Sequence, residues 1–130
     1  MELRKDSIDI GIVCVDAPAM LAFYRDVLGF AHQGDNPIPH GGTMHRLMAG
    51  TSMLKLLAPD VAPPVRSAPG GIPGATGMRY LTLTVGDLDA TVAACEAAGR
   101  PLVQRAEIGP ATIAIVEDPD GNWVEFLQMG

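Results

Sequence analysis

The chain reads as an α+β fold made of two copies of one strand–helix–strands unit. Three observations predict it. A β-branched apolar run at residues 8–15 is followed by an aspartate and a stretch of helical spacing, and the same succession returns over residues 80–98. The landmarks keep a constant offset: Asp16 and Asp87 are 71 apart, as are Asp9 and Tyr80, while Gly29 and Gly99 are 70 apart, which implies one residue lost in the second helix. Residues 59–77, between the copies, are rich in Pro, Gly and Ala and carry neither period. Repetition of this kind means one supersecondary unit used twice. Each copy alone would leave an apolar sheet face bare, so the two are expected to pack their sheets around a shared concavity.

The elements follow in order. In residues 8–15 (IDIGIVCV), Ile8, Ile10, Ile12 and Cys14 form one face of a strand and Asp9, Gly11, Val13 and Val15 the other. Asp16 is placed to cap a helix, with Pro18 in the first turn, where its missing N–H costs nothing. Leu21, Tyr24, Val27 and Leu28 repeat at helical spacing, and Gly29 is the stop. Residues 35–42 (DNPIPHGG) hold enough breakers to be a loop, and residues 43–49 and 52–57 form two strands meeting at Gly50-Thr51. Module one therefore spans 7–58. Residues 59–77 are expected to be a linker or mobile lid with no regular element. Module two, 78–130, has a strand at 80–85 and Asp87 as cap. A helix follows over 90–98, with Val92 and Cys95 inward, and strands at 101–103, 112–116 and 122–128 complete it.

At 130 residues the chain fits one domain able to bury most of its apolar surface. Its net charge of −6 argues against a nucleic-acid or anionic-membrane partner. With no run long enough for a bilayer and no basic-then-apolar leader, the cytoplasm is the expected compartment. Cys14 and Cys95 lack metal-type spacing and read as free, buried thiols. No nucleophile elbow, P-loop or dinucleotide fingerprint is present.

The last strand is the most informative stretch. Asp118-Pro119-Asp120-Gly121 is a turn, because proline fixes φ and Gly121 tolerates positive φ. In the strand after it, Trp123, Glu125 and Leu127 share one face and Val124 and Phe126 the other. A carboxylate among such neighbours is costly to bury without a partner. DPDGNWVEF, together with DAPAMLAFYRDVLGF at residues 16–30, resembles the vicinal oxygen chelate superfamily, which holds glyoxalase I, extradiol dioxygenases and the bleomycin-resistance proteins. The resemblance runs from about Ile8 to Gln128. It implies paired βαβββ modules whose curved mixed sheets enclose a concave pocket, and a homodimer, which the 48% hydrophobic content also suggests.

In metal-using members of that superfamily, four positions hold the ion, usually through His, Gln or Glu. Here those positions carry Asp9, Lys55, Tyr80 and Glu125. A protonated lysine has no lone pair and repels a divalent cation, so neither a metal nor another cofactor is expected. Lys55 is expected to stand in for the cation, neutralised by Asp9 and Glu125, with Tyr80 bonded to one of them. The bland alternative is an inert ion cluster left from a metal-binding ancestor. Thr82 and Thr84, on the face of Tyr80, would make one wall polar, and Trp123 and Leu127 would flank Glu125 with apolar surface, the usual form of a small-molecule site. His45 is counted among the binding residues, with Arg46, of opposite parity, as the alternative. Three readings remain open: a metal-independent isomerase or lyase working by acid–base chemistry on a carbonyl compound; a protein that sequesters a drug or metabolite; and a metal enzyme, favoured only by Glu125 and Asp9.

Overall fold

Strand β1 (Ile10–Val13) keeps the alternation of its sequence, with Ile10 and Ile12 half-buried and Gly11 and Val13 exposed. The computed structural model describes residues 1–130 and divides them into two units, Met1–Val65 and Arg66–Gly130. In the first, β1 leads through helix α1 (Ala17–Leu21) and a π-helical continuation (Ala22–Val27) to strands β2 (Ala31–Pro37), β3 (Gly42–Ala49) and β4 (Ser52–Pro59). The sheet order is β1-β4-β3-β2, parallel between β1 and β4 and antiparallel elsewhere. The second unit opens with a single helical turn, α2 (Gly71–Gly74). It then repeats the plan with β5 (Tyr80–Thr84), α3 (Leu88–Ala97), β6 (Leu102–Ile108), β7 (Ala111–Glu117) and β8 (Trp123–Met129), in the order β5-β8-β7-β6. Each unit is thus a βαβββ module with a four-stranded mixed sheet, and neither sheet closes into a barrel.

The repeat extends to the bonds. Asp16 Oδ1 accepts from Ala19 N at 3.1 Å and Asp87 Oδ1 from Ala90 N at 2.9 Å, so both aspartates cap as their spacing predicts. Gly29 and Gly99 both take φ 80° beyond the helix ends. The outer strands β2 and β6 carry bulges at matching places, between His32 and Gly34 and between Leu102 and Gln104.

The helices cover one face of each sheet. In the first unit Met20, Phe23 and Tyr24 are buried along with Leu47, Leu54 and Leu56, and the Phe23 and Tyr24 rings meet edge-on at 4.9 Å. In the second, Leu88, Val92 and Cys95 of α3 are buried, as are Ala114, Val116, Val124 and Phe126. Fully burying one such large side chain contributes about 1.5–3 kcal/mol, so each face is a substantial part of its unit's stability. Both cysteines are buried and neither is in a disulfide. Burial, with a lesser push from the charge of Glu96, raises the Cys95 thiol to about 11.

Three expectations need correction. The first helix turns π after Leu21, and Leu28 N donates to Phe23 O, five residues back. The wider turn rotates the buried face to Met20, Phe23 and Tyr24 and leaves Leu21, Val27 and Leu28 half-buried. Residues 35–37, expected in a loop, belong to β2. That strand is nearly all exposed and polar, so it has no apolar period to read. Residues 59–77 are not without regular structure. α2 is pinned by Arg79, whose Nε donates to Gly71 O at 2.7 Å and whose Nη2 donates to Ala68 O at 2.8 Å and Pro69 O at 3.3 Å. Gly71 lies directly on the indole of Trp123.

Candidate functional site

The turn before β8 aims that strand. The Asp118 carboxylate, fully buried, accepts from Asp120 N at 3.0 Å, Asn122 N at 2.9 Å and Asn122 Nδ2 at 2.9 Å, and Gly121 N donates to Asp118 O at 2.9 Å. Gly121 takes φ 90°, which completes the reversal. β8 then pairs parallel with β5, setting Tyr80 beside Trp123, Thr82 beside Glu125 and Thr84 beside Leu127.

Residues paired in this way point to the same side of a sheet. The face of the second sheet away from α3 therefore gathers Tyr80, Thr82, Thr84, Trp123, Glu125 and Leu127, six of the nine residues singled out by the sequence. Its floor is apolar: Ile113, Ile115 and Trp123 form a buried cluster, with Leu127 and Ala106 packed against it. Thr82 Oγ1 donates to Glu125 Oε1 at 2.9 Å, and no cation of this unit pairs with the carboxylate. Tyr80 is exposed.

The first sheet carries different chemistry. Lys55 is paired with Gly11 on one side and Arg46 on the other, and Arg46 stands opposite Gly34. Two cations thus sit side by side on the face away from α1, and Arg46 Nε is buried with no hydrogen-bond partner. Like charges set directly opposite each other on a sheet are destabilising, so the pair has a use for an anion. Asp9 does not neutralise Lys55 as expected. Its Oδ1 accepts from Lys5 Nζ at 2.6 Å and from Met53 N at 2.9 Å. Those bonds, the Lys5 one first, hold its carboxyl below the usual carboxylate range, and Lys55 adds only a weaker charge effect. Lys5 lies four residues before Asp9, in a segment that no strand pattern reaches, which is why the sequence hid it.

His45 is also placed otherwise than expected. It pairs with Leu56, one step from the Arg46–Lys55 pair, so alternation sends it to the α1 side and leaves Arg46 on the face of Lys55. There it joins two residues the sequence reading passed over, His32 and Asp35. His32 Nε2 and His45 Nδ1 both contact Asp35 Oδ1, at 2.7 and 2.8 Å. The bonds to His32 first and His45 second hold the Asp35 carboxyl below its ordinary range.

The four family metal positions do not make a good donor set. In the first unit Lys55 has no lone pair while protonated and an oxygen of Asp9 is already committed. In the second, Tyr80 offers a phenol and Glu125 is bonded to Thr82.

This architecture has a family. The model of the Glyoxalase/Bleomycin resistance protein/Dioxygenase superfamily matches residues 8–126, and the chain belongs to that superfamily. Among solved structures, the glyoxylase/bleomycin resistance protein/dioxygenase domain from Frankia sp. EAN1pec is 13% identical, with a TM-score of 0.77 over 100% of this chain and 94% of that one. TnmS3, an antibiotic binding protein from Streptomyces sp. CB03234, is 22% identical, with a TM-score of 0.72 over 99% and 100%. Glyoxalase I of Leishmania major, described as trypanothione-dependent, is 23% identical, with a TM-score of 0.72 over 92% and 84%. Likeness at these identities is likeness of fold. No curated protein matches the chain, and no helix is long and apolar enough to cross a membrane.

Proposed function

We propose that the chain is a metal-independent enzyme of isomerase or lyase type that acts by acid–base chemistry on a carbonyl-containing metabolite. The observation that carries this reading is Glu125 itself, a carboxylate over an apolar floor whose one donor in its own unit is the Thr82 hydroxyl. With Oε1 held by Thr82, Oε2 is the oxygen suited to take a proton from carbon beside a carbonyl. The exposed Tyr80 phenol shares that face and can donate to a developing oxyanion. Thr84, Trp123 and Leu127 complete a wall of mixed polarity. In the first unit, the Arg46–Lys55 pair with its unpartnered Arg46 Nε suits a carboxylate or phosphate group. Metal independence is supported by the poor donor set at the family positions.

The test is isotope exchange. Purified protein is incubated in D2O with pools of carbonyl metabolites, and deuterium incorporation is followed by mass spectrometry. Exchange should be lost in Glu125→Gln. Exchange that persists in Glu125→Gln refutes the assignment of the base.

A second reading has its own support, the buried Ile113–Ile115–Trp123 floor, which suits a bulky apolar ligand. Here the chain sequesters a drug or metabolite, as the antibiotic binding protein of like fold binds its ligand. Stoichiometric binding without product distinguishes it. A homodimer in the cytoplasm is proposed with either reading. Val13, exposed on edge strand β1, and the absence of a disulfide between the two cysteines support it. Light scattering at micromolar concentration checks the mass.

A further inference from the structure

His32, Asp35 and His45 form a cluster that the proposed function does not use. In a regular strand His32 and Asp35, three residues apart, would point to opposite faces. The β2 bulge between His32 and Gly34 inserts one extra residue and brings both to the same side. Asp35 then lies directly across from His45 on β3. One potential ligand atom from each residue lies within 4.8 Å of the other two. The imidazole centroids are 6.0 Å apart with planes inclined at 74°, so the rings converge on the carboxylate without stacking. The side chains keep 24%, 47% and 15% of their exposure, which leaves the cluster open to water and to an entering ion.

We propose that His32, Asp35 and His45 bind a divalent transition-metal ion of the Zn(II) class on the α1 side of the first sheet, the face opposite Lys55. The chemistry of the donors selects this class. Two neutral imidazoles and one carboxylate suit Zn(II), Co(II) or Ni(II) and are a poor cage for Ca(II), which takes six to eight oxygens. Ligand bonds of about 2.0–2.2 Å require donors about 3–3.5 Å apart. His32 Nε2 and His45 Nδ1 already stand at 2.7 and 2.8 Å from Asp35 Oδ1, so small side-chain rotations that open those contacts and draw the imidazoles together admit the ion. Binding replaces the protons between ring nitrogens and carboxylate and releases them to solvent. Water fills the positions left open. Two ligands lie on the outer strand β2 and one on β3, so the ion also clamps a bulged edge strand to its neighbour.

One neighbour opposes the ion and makes the site diagnosable. Arg25 Nη1 stands 3.5 Å from His32 Nδ1, and an arginine can only donate. It therefore favours the His32 tautomer with its proton on Nε2, the wrong nitrogen for binding beside Asp35. Arg25 is otherwise held by Asp26, at 2.8 and 3.2 Å.

The experiment is a ZnCl2 titration by calorimetry, with CoCl2 giving a visible spectrum that reports nitrogen–oxygen ligation. The expected result is one ion per chain. Affinity should fall more than about 10-fold in Asp35→Asn and in His45→Ala, as loss of a direct ligand should exceed the effect of losing a residue that only orients one. Arg25→Gln should tighten binding, and His40→Asn, in a loop away from the cluster, should leave it within twofold. The parent protein gives an independent reading: ZnCl2 should slow amide exchange in β2. No saturable binding, or binding that persists unchanged in both ligand variants, overturns the proposal. Unchanged β2 exchange at saturating ZnCl2 does the same without any variant.

Discussion

Gly71→Ala is a one-methyl change with a large consequence. A Cβ at this position would stand 2.1 Å from Trp123 Cε2, 2.2 Å from Cζ2 and 2.3 Å from Cδ2, where carbon atoms prefer about 3.5–4.0 Å. Gly71 also has φ +60°, a conformation that costs an L-residue about 1–2 kcal/mol. Overpacking adds about 1–3 kcal/mol, for a total of about 2–5 kcal/mol if the segment stays down. What holds it down is comparable: three Arg79 hydrogen bonds to Gly71, Ala68 and Pro69, each worth about 0.5–1.5 kcal/mol, plus part of the indole burial. The β8 ladder fixes the ring more firmly than Arg79 fixes the segment, so the segment is expected to lift and the indole to stay.

Trp123 is the only tryptophan and is 9% exposed, so its fluorescence reports this one contact. Gly71→Ala should shift emission to the red, raise acrylamide quenching and lower the urea midpoint by an amount equivalent to about 2–4 kcal/mol. Arg79→Ala frees the segment without a clash and should give the same spectral change with a smaller loss of stability. If Gly71→Ala matches the parent in emission, quenching and midpoint, the segment does not lie on the indole and its docking is wrong.

Asp118→Ala should cost about 1–3 kcal/mol in a denaturant melt, because it strands the half-buried donors of Asp120 and Asn122 at the turn into β8. Asp16→Ala and Asp87→Ala should each cost about 1 kcal/mol, and nearly the same as each other, since both remove one cap bond of the same kind. The Cys95 thiol, pushed up to about 11, is neutral in the folded chain. Its contribution is complete below the ordinary thiol value near 9 and is lost as pH rises toward 11. Native protein at pH 8 should therefore resist alkylation at Cys95, urea should expose it, and Cys95→Ala should flatten the alkaline fall in stability.

Where the sequence carried a period it was legible. β1, β4, β5, β7 and β8 have apolar residues on at least one face, and the aspartate caps and glycine stops repeat at a fixed offset, so the duplication and most element positions follow from spacing alone. β2 was invisible and β6 was read only at its start, because both are outer strands. Their exposed faces need no apolar residues, and a bulge breaks what alternation remains. That blindness concealed the His32–Asp35–His45 cluster, since His32 and Asp35 share a face only through the bulge. The face of Glu125 was legible because parity on a regular strand is enough to build it. The partner of Asp9 was not, because Lys5 lies in an irregular segment whose direction no periodicity fixes.

Lys55 and Glu125 occupy the same node of the duplicated unit. Each sits in the last strand of its sheet's module, paired in parallel with the first strand, Lys55 against Gly11 and Glu125 against Thr82. The backbone at the two nodes is alike, so the difference between them lies in side chains alone. Thr82 supplies a hydroxyl that orients its carboxylate, whereas Gly11 supplies nothing and the other neighbour of Lys55 is a second cation, Arg46. The two equivalent nodes thus carry opposite charges, one steadied by a hydroxyl and one set beside a second cation. The fold fixed where the two groups stand, and a handful of neighbours on adjacent strands determine what each can do.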